Sequence, residues 1–394
     1  MQPLQGVRII EVTTNASGPL ATGLLADQGA DVIRLETIDV GDPSRHVGGV
    51  RGGVTGYNGY MNRNKRSIAV DLKDEGVRPY IHDLIKTADV FVQNSRPGAL
   101  QRSGYGFEEL HKVNPNLIYL SISGFGPDGP AAGLRVYDPI IQGASGFAYA
   151  QGVGGDAPEL VKTIASDKIA AYTAAQAISS ALFARERGTV GGHKIEVSML
   201  DASLAFLWAD VYWNHSFVGD EGFQAKPLIS EFYRVVKTAD SYITTIIVGD
   251  VEFKAACEAL DMPELLEDPR FNTLMERFTN YGLMLNVIEE KAVTITTADL
   301  VARMEAAGVP CGAINTFDEV LDDPRVAHSG SIIEYDHPRG GRMRQARPPA
   351  VFNDEPAGIR LPSPALGEHT DELLGSVGCS ADELTNLRKA GVIA

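Results

Sequence analysis

The chain has 394 residues, 44% hydrophobic and 22% charged, with 35 Lys+Arg against 51 Asp+Glu and a formal net charge of −16. A surface of that sign repels nucleic acid and anionic membranes, so neither is expected as a partner, and an anionic ligand needs a local basic cluster. The length suits two domains, or one with a large insertion.

Residues Met1 to Gly6 lack the basic and apolar regions of a signal peptide, and no later apolar run approaches a membrane span. Val7 to Val12 reads as a short buried strand, residues 18 to 29 as a helix ending at Gly29, and Asp31 to Glu36 as the next strand. This β-α-β order opens a parallel, Rossmann-like sheet, whose ligand crevice lies at the carboxyl ends of its strands. No G-x-G-x-x-G follows the first strand; Asn15-Ala16-Ser17-Gly18-Pro19 stands there, which argues against a dinucleotide held in the usual way.

Residues 41 to 66, rich in Gly, Asn, Arg and Tyr, read as a long functional loop. Strands are expected at 67–72, 88–94 and 117–123, with a helix at 77–87. The last two strands end in the polar loops Asn94-Ser95-Arg96-Pro97-Gly98 and Gly124-Phe125-Gly126-Pro127, where an α/β protein builds its site.

Ile164 to Gln176 then carries an acidic residue into an alanine-rich helix, with Gly188 beyond its end. Ser166 or Asp167 is expected at or near the N-cap, where unpaired N–H groups and the helix dipole favour an ionised carboxylate. By local sequence alone Asp167 is a structural cap before it is a catalyst. Small side chains behind it leave room for a backbone or a ligand.

After a strand entering a helix at 194–201, residues 215 to 230 read as loop. A smaller α/β unit follows, with strands at 243–248 and 309–314 and helices between them. Pro-rich segments then lead to an acidic helical tail. The expected division is a large domain of residues 1–215 completed by 330–394, a small one of 230–325, and linkers at 216–229 and 326–365. The scattered Cys257, Cys311 and Cys379 offer neither a disulfide framework nor a zinc pattern, which fits a reducing cytoplasm.

Several strings, in order, carry a resemblance. They are Leu24 to Ile33, Asn62-Arg63-Asn64-Lys65-Arg66-Ser67-Ile68, Asn94 to Gly98, Ile122-Ser123-Gly124-Phe125-Gly126, Asp323-Pro324-Arg325-Val326 and Leu366-Gly367-Glu368-His369-Thr370. Together they resemble the class III CoA-transferases, the CaiB/BaiF or formyl-CoA transferase-like family. The resemblance implies a ring-like chain interlocked with its copy in a homodimer. It also implies an aspartate at a helix start, here Asp167, that attacks an acyl-CoA donor. A mixed anhydride, an aspartyl-CoA thioester and transfer of CoA to a free carboxylic acid would follow. No permanently bound cofactor or metal is implied; CoA is part of the substrate.

Residue by residue, Tyr57 falls on a tyrosine near the active site, and Tyr137-Asp138 matches a Tyr-Glu pair beside the nucleophile. Contacts to CoA would fall on Val70, Lys73, Asn94, Arg102 and Arg135. Family racemases carry a histidine in a Gly-His-Asp string where Val136-Tyr137-Asp138 stands. A phenol, with an ordinary pKa of about 10, is a poor base at neutral pH. Transferase is therefore expected over racemase, with a silent CoA-binding protein as a third reading. Asn15 or Ala16 replaces the glutamine that formyl-CoA transferases place before their Gly-Pro turn, and residues 226–250 hold no clear glycine-rich loop. Formyl-CoA and oxalate are thus not the expected pair.

Overall fold

The structure, a computed structural model, describes residues 2–152, 157–189, 191–219 and 221–394. The described residues divide between two compact units, one spanning Met1–Gln151, Pro158–Leu207 and Ser329–Ala394, the other Gly152–Ala157 and Trp208–His328.

In the first unit, β1 (Arg8–Val12), α1 (Ser17–Asp27), β2 (Asp31–Glu36), α2 (Gly56–Met61) and β3 (Lys65–Ala69) follow in order. Next come β4 (Val90–Gln93), β5 (Ile118–Ser123), α3 (Asp138–Ala144), α4 (Ala165–Glu186), β6 (Lys194–Ser198) and α5 (Met199–Leu207). The six strands form one parallel sheet in the order β3-β2-β1-β4-β5-β6. That is the doubly wound order, and the chain reverses direction between β1 and β4.

The central strands are buried on both faces, and β4 and β5 are nearly apolar runs, whereas Glu11, Arg34 and Lys65 bring buried charges onto β1, β2 and β3. Ile9, Val90, Val92, Ile118 and Leu120 point to one face, against Leu20 and Leu25 of α1 and Ala170, Ala174 and Ile178 of α4. Ile10, Phe91 and Tyr119 point to the other, against Ile81 and Leu84 of the Arg78–Lys86 helix. Leu373, Leu374 and Leu384 of the two C-terminal helices join this second core. The tail also reaches the sheet edge, where Val70 bridges Ile393.

α4 buries Ala170, Ala171, Ala174, Ala175, Ile178, Ala181 and Leu182 on one helical stripe. Small residues there bring α1 close; α1 is buried through nearly every residue and, like α4, packs on the sheet.

Two expectations need correction. Residues 41–66 are not one loop: they hold a 3₁₀ turn at Pro43–His46, a tight two-strand hairpin at Val50–Arg51 and Val54–Thr55, and α2. The polar residues that suggested a functional loop are buried, as Asn58, Asn62, Arg63, Asn64 and Lys65 show. Within 326–365, read as linker, an antiparallel hairpin pairs Ile332–His337 with Gly341–Ala346. Pro338 lies in its turn, outside the two strands, where no ladder N–H is lost.

The second unit has its own core. An antiparallel sheet ordered Cys311–Ala313, Tyr242–Thr245, Val235–Lys237 packs Val236 and Ile243 against Phe253, Leu285, Ile288 and Leu300 of its helices. Among the described residues no helix is long and apolar enough to cross a membrane.

Candidate active site

The reversal between β1 and β4 splays apart the loops that leave them, and here the residues after both strands line one cleft. Thr14, Asn15 and Ser17 come from the end of β1, Asn94 to Pro97 from the end of β4, and Ser123 and Gly124 from β5. Ala132, Leu134, Val136, Tyr137, Met199 and Asp167 complete a cleft of ≈ 130 Å³.

Asn94 ties the two loops together. Its Oδ1 accepts from the Thr14 N–H at 2.9 Å and its Nδ2 donates to the Thr14 carbonyl at 2.8 Å. Asn15 takes a left-handed φ of 62°, and its N–H donates to Asp42 Oδ1 at 3.1 Å. A Cβ on Gly18 would lie 2.5 Å from Thr13 Cβ, so the turn into α1 admits only glycine. The same holds on the far wall, where a Cβ on Gly124 would lie 2.5 Å from Val136 Cγ2.

Asp167 is the third residue of α4 and not its cap. The N-cap is Ile164, which makes no side-chain capping bond. The Asp167 N–H instead donates to Asp138 Oδ2 at 3.0 Å, so a carboxylate on another helix fills the capping role. This frees the Asp167 side chain to face the cleft, where Ser17 at the start of α1 is the neighbour that favours its charged form. The helix end that meets the carboxylate is thus that of α1.

Nor does the helix terminus hold Asp167 low, as the sequence led one to expect. Burial, and then the neighbouring Asp138 charge, push its pKa up to about 6, against the smaller opposing pull of Ser17. At pH 7 roughly nine-tenths of such a group is still ionised. The result is a carboxylate that is mostly charged yet weakly solvated, and such a group is reactive.

Tyr57, on α2, is half-buried. Burial, then the Asp167, Asp42 and Asp138 charges, push its phenol up to about 12, so it stays a proton-bearing donor. Tyr137 is 69% exposed at the cleft wall, and Asp138, the next residue and the first of α3, is 3% exposed. The structure therefore gathers Tyr57, Asn94, Tyr137, Asp138 and Asp167 around one place.

The other residues tied to CoA by resemblance lie outside the cleft lining. Lys73, Arg102 and Arg135 are exposed. Val70 buries its side chain in the second core and its N–H donates to the Glu36 carbonyl, leaving its own carbonyl for a ligand. Sequence reasoning missed Ser17, Arg96 and Gln142. Ser17 and Arg96 stood inside strings already singled out, and Gln142 is one helical turn after Asp138. Among the described residues no group of three or more His, Cys, Asp or Glu is placed to hold a metal.

The model of CoA-transferase family III matches residues 4–370. The succinate–glutarate CoA-transferase of Agrobacterium fabrum is 33% identical, covering 95% of this chain and 96% of that protein. The acetyl-CoA:oxalate CoA-transferase of Acetobacter aceti is 34% identical, with 93% of each covered. Among solved structures, a CaiB/BaiF family protein from Brucella suis superposes with a TM-score of 0.84 at 29% identity, covering 95% of this chain and 99% of that one.

Proposed function

This chain belongs to CoA-transferase family III, and from that premise we propose that it moves CoA from an acyl-CoA donor to a free carboxylic acid through a covalent intermediate on Asp167. The observation that carries the reading is the Asp167 carboxylate itself, facing a cleft at the sheet's switch point, desolvated, and raised to about 6.

An Asp167 oxygen attacks the thioester carbonyl, the C–S bond breaks, and CoA leaves as thiolate with an acyl-aspartyl anhydride behind it. The thiolate then attacks the aspartyl carbonyl and expels the donor acid as carboxylate. The acceptor carboxylate attacks the aspartyl thioester and releases the thiolate again. The thiolate attacks the acceptor's acyl carbon, and Asp167 is regenerated. Each attack builds a negative oxygen, for which the protonated Tyr57 and the Tyr137 hydroxyl serve as donors.

Asn94, the Val70 backbone and the exposed Lys73, Arg102 and Arg135 are assigned to CoA, whose phosphates the three cations suit. A homodimer working in the cytoplasm, the acyl-CoA and the acceptor acid complete the reading. The named relatives act on succinate, glutarate and oxalate, so short dicarboxylates head the acceptor panel. Acetyl-, succinyl- and formyl-CoA are mixed with these acids, and new acyl-CoA products are read by mass spectrometry. No product from any pair overturns the reading.

The acid limb of kcat/KM follows from Asp167. The nucleophile must be ionised, so activity should hold above pH 7 and fall about tenfold per unit below about 6. A limb near pH 4 would mean that the nucleophile is not the desolvated carboxylate.

Transfer and racemisation separate at Tyr137. Racemisation needs two groups exchanging protons with the α-carbon, whereas transfer needs donors to oxygen. In deuterated water a chiral 2-methylacyl-CoA should take up no α-deuterium. Tyr137→Phe should slow transfer by ~10²-fold or less, the loss of one oxyanion donor. Rapid deuterium uptake with no acceptor acid present would make the enzyme a racemase.

A further inference from the structure

Behind the nucleophile lies a chain of contacts that direct chemistry does not use. Gln142 is 1% exposed and does not line the cleft. Its Nε2 donates to Asp138 Oδ1 at 2.5 Å, one turn back on α3, and to the carbonyls of Thr163 at 3.1 Å and Val161 at 3.3 Å. Its Oε1 accepts from the Val161 N–H at 2.9 Å. The other Asp138 oxygen takes the Asp167 N–H. One amide thus grips the segment entering α4 and the carboxylate that caps it.

We propose that Gln142 is a positioning residue for acyl transfer, acting through Asp138 and the 161–163 segment to fix the first turn of α4 and so the line of attack of Asp167. The proposal rests on the CoA-transfer reading given above. Only an amide side chain meets the demand. Val161 needs an acceptor while Asp138 and the Thr163 carbonyl need donors. Glutamine's Oε1 and two N–H groups supply all three, with the longer contact to the Val161 carbonyl sharing a hydrogen. Glutamate would set a second carboxylate against Asp138 and offer nothing to the carbonyls.

The relay matters because α4 has no cap of its own. With Asp138 adrift, the Asp167 amide is unpaired in a half-buried turn and the turn frays. A carboxylate displaced by an ångström loses on the order of 10² in rate, while the cleft that binds CoA is untouched.

The charged and titratable groups around the pair are few. Asp138 lies on α3, Tyr57 on α2, and Arg96 and Tyr137 in the cleft lining. Lys168 is bonded to Thr163 Oγ1, and Asp201 on α5 and Tyr149 on the helix after α3 are exposed.

The experiment compares full-length wild type with Gln142→Met, which keeps the volume and removes the bonds, and with Gln142→Glu. For Gln142→Met, kcat should fall about 10- to 100-fold with KM for acyl-CoA within twofold. Amide exchange across residues 161–168 should quicken while the rest of α4 keeps its protection.

Gln142→Glu supplies a readout that a packing role would not move. Ionised, it repels Asp138; protonated, it again donates on one side and accepts on the other. Its deficit against wild type should therefore shrink as pH falls from 8 to 5.5. A folded methionine variant with wild-type kcat and exchange, or a glutamate deficit constant with pH, overturns the relay. If the methionine variant does not fold, the glutamate profile decides. If wild type transfers no CoA while exchange at 161–168 still responds to Gln142, the function is wrong and the relay stands.

Discussion

Asp167→Ala should abolish CoA transfer, by on the order of 10⁴-fold or more, while the fold and CoA binding persist. The covalent route has no substitute, because the nearest carboxylate, Asp138, is buried at 3% exposure with both oxygens engaged by Gln142 and the Asp167 amide. Asp167→Glu keeps the charge but moves it by a methylene, and should lose about 10²-fold from misplacement alone.

Stability should move the other way. A carboxyl raised from 3.8 to about 6 binds its proton more tightly in the folded chain than in the unfolded one. Ionisation therefore weakens the fold, with the full penalty above about pH 6, shrinking as pH falls through 6 toward 3.8. Asp167→Asn removes that penalty. It should melt no lower than wild type at pH 7.5, with the gap narrowing near pH 4, while remaining inactive. Hydroxylamine added with donor acyl-CoA should mark Asp167 in wild type and nothing in the asparagine variant. Substantial turnover in either neutral variant, or a hydroxylamine mark elsewhere, ends the assignment.

How the sequence disclosed this site, and where it did not, follows from what is local. The apolar strands and the long alanine-rich helix were legible because their patterns are written within a dozen residues. Asp167 was visible as an acidic residue at or near a helix N-cap, and it stands in the first turn, but the group that caps the turn was not visible. The capping group is Asp138, 29 positions away, and no local rule reaches across that gap. The raised pKa was hidden for the same reason, since it comes from burial and from that distant charge. The switch point was foreseeable in kind, since a βαβ start predicts one. Strand order required the pairing of β1 with β4, whose intervening segment includes β2 and β3. Tyr57 came only through resemblance; nothing in its flanking residues sets it apart from other loop tyrosines.

Residues 62–66 show the opposite error, in which polarity concealed a core. Arg63 and Asn64 bond to Asp27, and Arg66 to Asp31 and Glu372. Lys65 is buried, and its three N–H groups are shared among four oxygens around Nζ: Glu11 Oε1 at 3.0 Å, the Pro19 carbonyl at 2.7 Å, Thr22 Oγ1 at 2.8 Å and Asn62 Oδ1 at 3.0 Å. Around it Arg34 lies 3.7 Å from Glu11 and 2.7 Å from Asp42, and Arg45 reaches Glu36 at 2.6 Å. Three cations thus face three carboxylates beneath α1. A string that looked like a binding loop is the floor on which the site stands, since the Pro19 carbonyl belongs to the same first turn as Ser17.

Lys65→Met should therefore destabilise the protein by about 3–5 kcal/mol, the usual result of stripping one partner from a buried pair. The pair need not be a net gain for the loss to be large. Burial drags the Lys65 ammonium down to about 8 although Glu11 beside it pulls the other way, so desolvation outweighs attraction. What the substitution leaves behind is the difficulty: Glu11, 0% exposed, with Arg34 at 3.7 Å as its remaining ion-pair partner. Removing the second charge tests this account. Glu11→Leu combined with Lys65→Met should recover most of the loss, a coupling of several kcal/mol between contacting sites. Denaturant unfolding of the four proteins at fixed concentration measures it. The recovered double variant should still be slow, because Pro19 has lost the ammonium that holds the start of α1 beneath Asp167. A single variant within 1 kcal/mol of wild type, or a double variant worse than the sum of its parts, would show that Lys65 is not the keystone of this cluster.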